Sequence, residues 1–426
     1  MKDIKFSKFL PFRALLHSKI SSPRGGWVGA LLFLFSLSAS AQRETSLINE
    51  GWKFSLGDAS SPALDFGCGT EYFNYLTKAA SIHNEGPYSL KFDDSKWQDV
   101  RIPHDWVENL PYASEASHSH GYKAVGYKYP KNSVGWYRKK FTLSESDKGK
   151  HFEILFDGIF RDSRVWVNGF YCGGERSGYL SQNYDITDYL NYDGDNLICV
   201  RADATLEEGW FYEGAGIYRN VWLVKTSPVH FRQDGISLST SFVGNGYDKA
   251  CLNISADIQN NSHSSSNCTI SYSILDSKGN VVVKSNPEQV AKVNAAGVAS
   301  ISSVSPVFKP ELWSTDSPYL YMLEANVLAD GKIVDTQRVK FGVREVKFDK
   351  DRGLLLNGKE VKIKGVNLHQ DHAGVGSAIP DGLQVYRIRQ LKAMGCNAYR
   401  SSHNPMSPAM LDVCDSLGIM VIDENR

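Results

Sequence analysis

Three short segments near the end of the sequence decide its fold: VKIKGVN at residues 361–367, NAYRSSH at 397–403 and IMVIDE at 419–424. Each has the length and composition of a β-strand, and the intervals between them carry helical signals. Strands that alternate with helices form parallel sheets through βαβ crossovers. We therefore predict that this part of the chain begins a (β/α) barrel, in which chemistry takes place at the carboxyl ends of the strands.

Two helices are predicted between these strands. The first, over residues 381–394, has one apolar stripe, formed by Val385, Ile388, Leu391 and Met394. The second has Ser407 as its N-cap and Pro408 as its first residue, and it ends at Gly418. Residues 419–422 are continuously apolar, which predicts a strand covered on both faces.

Polar side chains follow each predicted strand. They are Asn367 and His369 after the first, Arg400, Ser402 and His403 after the second, and Asp423 and Glu424 after the third. Because the carboxyl ends of parallel strands meet at one edge of a sheet, these residues are candidates for a shared site.

The composition excludes some classes of partner. The 426 residues include 47 Lys+Arg and 47 Asp+Glu, which gives no net charge. A neutral chain without a basic, aromatic-rich run offers no general reason to bind nucleic acid or an acidic membrane.

The N-terminus indicates export. A basic segment over residues 1–24 is followed by the apolar run WVGALLFLFSL at 27–37 and by the small residues ASA at 39–41. This order is typical of a secretory signal peptide. A membrane anchor is the weaker interpretation, because eleven apolar residues fall short of the roughly 20 that span a bilayer. We expect a mature chain that starts at Gln42, is periplasmic or extracellular, and has no membrane attachment after cleavage.

The cysteines do not indicate a metal or redox site. There are seven, widely spaced, with no C-x-x-C pair. Their spacing supports neither zinc binding nor a disulfide oxidoreductase, so we expect most of them to be small buried apolar residues.

Two β-rich domains are predicted before the barrel segment. Residues 42–227 contain short strands and a strong hairpin signal at Asn168–Gly169, which is typical of a jelly-roll sandwich. Within it, residues 109–132 are predicted to be a long surface loop. Residues 228–345 have the strand spacing of an immunoglobulin-like sandwich. Residues 346–426 then form the first three strands of the barrel.

Several motifs give the chain a family resemblance. NAYRSSHNPMSPAMLDVCDSLGIMVIDENR (397–426) and GVNLHQDH (365–372) resemble barrel segments of glycoside hydrolase family 2, which contains β-galactosidases, β-glucuronidases and β-mannosidases. PHDW (103–106), FDGIFRDSRVWVNG (156–169) and GAGIYRNVWL (214–223) resemble its sugar-binding jelly roll, and PELWSTDSPYLY (310–321) resembles its immunoglobulin-like domain. The motifs occur in the order of the family and extend over nearly everything after residue 41.

The resemblance implies a retaining glycosidase that uses two glutamates, one as general acid and one as nucleophile, with carboxyl groups about 5–5.5 Å apart. In the family, the acid follows an Asn on the fourth barrel strand. The Asn-Glu pairs here, Asn49–Glu50 and Asn84–Glu85, lie in the first domain and do not match. We therefore expect the acid and the nucleophile to be missing from residues 1–426, and we assign neither role to Asp423 or Glu424.

The resemblance also implies substrate-binding residues. His369 and His403 would bind sugar hydroxyls, and Arg400 would orient the nucleophile. Asp105 and Glu213 would reach the site from the jelly roll. Trp210 occupies the approximate place of an Asp that contacts substrate in the family, and His120 is a weaker candidate.

Each candidate also has a purely structural interpretation. The histidines could be satisfied polar residues at strand ends, Arg400 a salt-bridge partner, Asp105 a turn cap and Glu213 a solvated loop charge. Most tryptophans of the first domain are expected to fill its core rather than to stack on sugars.

Three classes of function remain open. The first is an exported β-galactosidase-like hydrolase of β-linked glycosides. The second is a non-catalytic carbohydrate-binding or vestigial protein, and the third is an adhesion module built on the two sandwiches. No cofactor is predicted, although some family members use a divalent cation such as magnesium, with ligands from segments not found here. The family often forms homo-oligomers. The sugar and the linkage are not defined by these residues.

Overall fold

The computed structural model describes residues 43–68, 86–244, 246–285 and 290–426. The predicted signal peptide and Asn84–Glu85 lie outside these ranges. None of the helices within them is long and apolar enough to cross a membrane.

The first domain is a sandwich of two antiparallel sheets. Its strands are β1 (Glu44–Leu47), β2 (Trp52–Leu56), β3 (Gln98–Val100), β4 (Val134–Thr142), β5 (His151–Phe156), β6 (Ser163–Val167), β7 (Phe170–Glu175), β8 (Gln182–Asp185), β9 (Asp195–Asp203) and β10 (Val221–Thr226). One sheet has the order β3-β2-β4-β9-β6-β7 and the other β1-β10-β5-β8. This arrangement confirms the jelly-roll prediction.

Apolar side chains that alternate along the strands of both sheets form one core between them. Four tryptophans, Trp97, Trp106, Trp136 and Trp166, are at most 8% exposed, as expected for core residues. Trp210 differs, because 77% of its surface is exposed. The predicted hairpin turn joins β6 to β7, and both of its residues, Asn168 and Gly169, have positive φ.

The prediction of a long surface loop at residues 109–132 is wrong in part. The segment contains one-turn 3₁₀ helices at His118–His120 and Pro130–Asn132. It also folds inward, so that His120 is fully buried. Neither ring nitrogen of His120 has a hydrogen-bond partner within the described ranges. Burial lowers the pKa of His120 to about 4.

The second domain is also a two-sheet sandwich, as predicted for an immunoglobulin-like fold. Its strands are β11 (Val229–Phe242), β12 (Lys249–Asn260), β13 (Ser266–Leu275), β14 (Val281–Lys284), β15 (Val290–Val293), β16 (Gly297–Phe308), β17 (Tyr321–Ala329) and β18 (Lys332–Phe341). One sheet has the order β11-β12-β16. The other has the order β14-β13-β17-β18, with β15 also paired to β13.

The barrel segment begins after a small antiparallel sheet of β19 (Val346–Asp349), β20 (Gly353–Leu356) and β21 (Lys359–Glu360). Three parallel strands follow, β22 (Gly365–Leu368), β23 (Ala398–Ser401) and β24 (Met420–Ile422), with α1 (Asp381–Ala393) and α2 (Pro408–Leu417) between them. The predicted parallel start of a (β/α) barrel is thereby confirmed.

Details of this segment differ from the sequence prediction. The helix α2 has the predicted caps at Ser407 and Gly418. In α1, however, Met394 is 74% exposed, and the buried stripe is Gln384, Ile388 and Leu391. The chain turns out of the helix at Met394, so the periodicity no longer orients this side chain inward. The third strand is not covered on both faces, since Ile422 is 50% exposed.

One carboxylate joins the jelly roll to the barrel segment. Asp105 caps the 3₁₀ turn Trp106–Asn109 and is 4% exposed. Its Oδ1 accepts hydrogen bonds from the backbone N–H groups of Val107 and Ala215, both at 3.0 Å. Its Oδ2 accepts from the Tyr212 hydroxyl at 2.8 Å and from the Ser377 backbone and hydroxyl at 2.9 and 3.0 Å.

Donors surround this carboxylate on all sides. Burial raises the pKa of Asp105, and the hydrogen bonds from Ser377 and Ala215 oppose that rise. Because an ionised carboxylate is an acceptor only, a site made of donors favours the anion. Space for this contact comes from Gly214 and Gly376, which both have positive φ. A Cβ atom at either position would collide with Asp105 Oδ2.

We predict that Asp105→Asn destabilises the chain by about 3 kcal/mol. The amide group would place donors against donors and leave several buried N–H and O–H groups unsatisfied. Urea unfolding followed by tryptophan fluorescence measures the change. Asp99→Asn is the matched control, because the Asp99 side chain is 84% exposed and pairs with Lys53 only at the surface. An equal effect of the two substitutions would contradict this role of Asp105.

A second prediction concerns β24, which pairs with β23 alone within the described ranges. An apolar strand with an unpaired edge promotes association. We expect the isolated 426-residue chain to be poorly soluble, with amides at residues 419–422 that exchange faster than those of β23. Ile422→Lys should raise the soluble fraction, whereas Leu206→Lys, at an exposed loop position, should not. Strong hydrogen-exchange protection of residues 419–422 in a soluble monomer would refute the expectation.

A third prediction follows from the burial of His120. Its pKa in the folded chain is below that of an exposed imidazole, so the unfolded chain binds the proton more tightly. Stability is therefore retained above about pH 6.5 and lost as the pH falls toward 4. Between pH 7 and pH 5, the free energy of unfolding of His120→Leu should fall by about 2 kcal/mol less than that of the unaltered chain. Denaturant unfolding at both pH values tests this, with exposed His263→Leu as the control that leaves the pH dependence unchanged.

Candidate functional site

The site forms where β22 and β23 end. The two strands are parallel, with Asn367 opposite Arg400 and Leu368 opposite Ser401. His369 follows β22 directly, and His403 lies two residues beyond β23. The sheet register therefore brings His369, Arg400 and His403 to the same edge.

The orientation of His369 is fixed from two sides. Its Nδ1 is 2.8 Å from the carbonyl oxygen of Ser402. Since a carbonyl oxygen only accepts, Nδ1 carries the proton and Nε2 keeps its lone pair. The backbone carbonyl of His369 accepts a hydrogen bond of 3.0 Å from Arg387 in α1. The imidazole is thus presented with one acceptor nitrogen left for a ligand.

His403 and Arg400 share one carboxylate. His403 Nδ1 lies 2.9 Å from Glu424 Oε2, and Arg400 Nη2 forms an ion pair with Glu424 Oε1. Arg400 Nη1 also donates to the Ser402 hydroxyl at 3.3 Å. Glu424 therefore holds both candidate side chains from the neighbouring strand.

An aromatic side chain of the jelly roll covers the two histidines. The Phe211 ring stacks on His369 with a centroid distance of 4.8 Å and lies 5.8 Å from the ring of His403. The two imidazole rings are 5.5 Å apart. The guanidinium of Arg426 lies 5.0 Å from the Phe211 centroid on this side of the sheet. The first domain thus contributes a wall of the site.

The other predicted residues are engaged within the chain. Asp105 bridges three segments through the hydrogen bonds described above. Glu213 is fully buried, and its carboxylate accepts from the Tyr179 hydroxyl at 2.7 Å and from the backbone N–H groups of Glu208 and Gly209. Burial raises the pKa of Glu213, and the hydrogen bond from Tyr179 opposes this rise. Contact of Asp105 or Glu213 with a glycoside stays a prediction, as it does for the three strand-end residues.

Sequence reasoning placed Glu424 at the shared edge without a role and missed Phe211. The structure makes Glu424 the partner of Arg400 and His403. Phe211 gave no signal beyond its position next to Trp210, because its contact with His369 joins residues far apart in sequence. Asp423 accepts from the Ser401 hydroxyl at 2.8 Å and the Met406 backbone at 3.3 Å, so it supports the loop after β23.

The geometry supports hydrogen bonding to a polyhydroxylated ligand. The His369 imidazole presents an Nε2 acceptor, the His403 imidazole and the Arg400 guanidinium lie beside it, and an aromatic ring gives an apolar surface.

Comparison with known proteins gives a consistent result along the chain. Residues 79–227 match the family model for the sugar binding domain of glycosyl hydrolases family 2. Residues 229–344 match the model described as glycosyl hydrolases family 2, and residues 346–426 match the model for its TIM barrel domain.

Individual relatives cover most of the chain. A β-galactosidase of Bacteroides ovatus, BoGH2A, is 34% identical over 390 residues, which are 91% of this chain and 42% of the relative. A putative β-glucuronidase of Formosa agariphila is 32% identical over 96% of this chain and 36% of its own length.

A crystal structure of a glycosyl hydrolase family 2 member from Bacteroides cellulosilyticus superposes with a TM-score of 0.78 at 30% identity, over 90% of this chain and 46% of that one. The chain thus spans less than half the length of each of these three relatives. The chain belongs to glycoside hydrolase family 2.

Proposed function

We propose that this chain carries the sugar-binding part of an exported β-glycosidase that hydrolyses terminal β-glycosidic bonds with retention of configuration. The substrate class is a β-linked oligosaccharide or glycoside of the galactoside type. Family membership and the names of the relatives support hydrolysis of glycosides. The localisation follows from the signal-peptide pattern in the sequence.

One observation carries the proposal. His369 and His403 lie 5.5 Å apart on neighbouring parallel strands, and both are packed against Phe211. Hydroxyls of a pyranose can hydrogen-bond to imidazole nitrogens, and the apolar face of the sugar can pack on an aromatic ring. Side chains held before binding lose little entropy when the ligand arrives.

We propose that Arg400 orients the carboxylate that acts as the nucleophile. In this chain its guanidinium is paired with Glu424 at the edge of the sheet. A second carboxylate brought to the same edge would find a cation that stabilises its ionised form, as a nucleophile requires.

The general acid and the nucleophile are proposed to come from outside residues 1–426. Both carboxylates at the end of β24 already have partners. Asp423 binds Ser401 and Met406, and Glu424 binds Arg400 and His403. Those same contacts favour the alternative proposal, a carbohydrate-binding protein without catalysis. Assembly into homo-oligomers is proposed on the family resemblance alone.

We expect the purified chain to bind methyl β-D-galactopyranoside without releasing nitrophenol from p-nitrophenyl β-D-galactopyranoside or the β-D-glucuronide. A protein translated from a reading frame that continues beyond codon 426 should hydrolyse at least one of them. His403→Phe should weaken binding about 10-fold, because it removes one hydrogen bond while keeping the contact with Phe211. Isothermal titration calorimetry and nitrophenol absorbance are the measurements.

His263→Phe, on the surface of the second domain, is the matched control and should bind like the unaltered chain. Hydrolysis by the 426-residue chain alone would contradict the assignment of the acid and nucleophile. Lack of saturable binding by both the short and the extended proteins would contradict the sugar-binding role of His369 and His403. Binding without hydrolysis in both proteins would favour the non-catalytic alternative.

A further inference from the structure

A group of buried acceptors lies where the first sandwich meets the second. His151 and Glu153 project from one face of β5, because residues i and i+2 of a strand point to the same side. His230 comes from β11. The three side chains are at most 6% exposed, and each offers a ligand atom within 4.8 Å of the other two.

The tautomer of His230 follows from its partner. Its Nδ1 lies 2.9 Å from the carbonyl oxygen of Ser227, which only accepts hydrogen bonds. Nδ1 therefore carries the proton. The remaining nitrogen, Nε2, is a buried acceptor with no hydrogen-bond partner within the described ranges.

The same reasoning applies to His151. Its Nδ1 lies 3.0 Å from the hydroxyl of Thr187, and that hydroxyl is 2.7 Å from Asp185 Oδ1. Since the hydroxyl proton is directed to the carboxylate, His151 Nδ1 donates to Thr187. The Asn261 amide nitrogen lies 2.9 and 3.1 Å from the two ring nitrogens, and one atom cannot be in line with both lone pairs. With Nδ1 protonated, Nε2 of His151 accepts from the Asn261 amide at 3.1 Å and lies 3.4 Å from Glu153 Oε1, so a metal ion would take the place of the amide.

Glu153 adds the negative charge. Its Oε2 has no hydrogen-bond partner within the described part of the chain. Arg43, a cation near this group, is held by Asp335 through Oδ1 at 3.2 Å and Oδ2 at 3.0 Å. His230 Nε2 and Glu153 Oε2 are therefore buried acceptors without a partner in the described part of the chain, and His151 Nε2 lies beside them.

We propose that His151, Glu153 and His230 bind a divalent transition-metal ion at the junction of the two sandwiches. Zinc is the ion that best suits this set of ligands. Two imidazole nitrogens and one carboxylate oxygen are a donor set that Zn²⁺ uses in proteins. Magnesium and calcium prefer all-oxygen sites. Bonds of about 2.1 Å place tetrahedral ligand atoms about 3.4 Å apart. Side-chain rotations that move the ligand atoms by about 1 Å would therefore bring the three residues around the ion.

The surroundings match those of a metal centre. Ligating histidines usually donate their other ring N–H to a carbonyl or a carboxylate-linked group, which fixes the ring. Ser227 and the Thr187–Asp185 pair occupy these positions here. An ion at this place would join β5 to β11 and so fix the first sandwich against the second.

The test uses the untagged chain after removal of metal by EDTA and dialysis. Titration with ZnCl₂ should show one tight site per chain, and zinc should raise the melting temperature by about 2 °C or more. MgCl₂ and CaCl₂ at the same concentration should not. Glu153→Gln keeps the size of the side chain but removes its charge, and it should weaken zinc binding at least about 10-fold. His263→Ala, an exposed histidine, should leave zinc binding unchanged.

Cobalt gives a measurement that does not depend on any variant folding. CoCl₂ added to the unaltered chain should produce a saturable d–d absorption band that zinc removes at one equivalent. The proposal is overturned if the folded chain binds neither metal saturably, or if Glu153→Gln and the unaltered chain bind zinc equally well. The first result would mean that a proton shared with Glu153 satisfies the acceptors.

Discussion

The carboxylate of Asp105 is the constraint on which the rest of the arrangement depends. It lies between the jelly roll, the loop that carries Phe211, and the segment that follows β22. Without a buried anion at this point, the backbone donors of these segments would have no acceptor. The loop would then lose one of the contacts that hold Phe211 over His369, alongside those of Glu213. The position of an aromatic wall at the barrel edge therefore depends on an electrostatic contact made elsewhere.

Polar contacts also decide which part of the site is rigid. Glu424 neutralises Arg400 and orients His403 from the neighbouring strand. A charged pair of this kind at a partly exposed edge contributes little to stability, but it restricts the rotamers of both partners. The same principle applies at the junction of the sandwiches, where hydrogen bonds from the outer ring nitrogens fix His151 and His230.

Local patterns in the sequence were sufficient for the architecture. The hairpin at Asn168–Gly169, the caps of α2 and the parallel order of the last strands are all encoded by neighbouring residues. The exposure of Met394 was missed because periodicity does not report where a helix ends. The site residues at the strand ends were found from topology, since parallel strands bring their carboxyl ends together.

Contacts between distant segments could not be predicted in this way. Phe211 of the first domain contacts His369 of the barrel segment, and His230 lies far along the chain from His151 and Glu153. No local pattern specifies such a meeting, because it results from how whole sheets pack. The donor-rich pocket around Asp105 is hidden for the same reason: each donor is an ordinary backbone or side-chain group until the fold brings them together.

The two glycines beside Asp105 have a consequence for how this sequence can change. Gly214 and Gly376 lie in different domains, yet each leaves out a Cβ atom for the same carboxylate oxygen. A side chain at either glycine would collide with Asp105, and the positive φ of both residues would still disfavour a side chain if Asp105 were lost. We therefore expect that Gly214 or Gly376 changes only where Asp105 has changed as well, although the three positions are far apart in the gene. Such coupled variation among relatives would record a single buried contact between their domains.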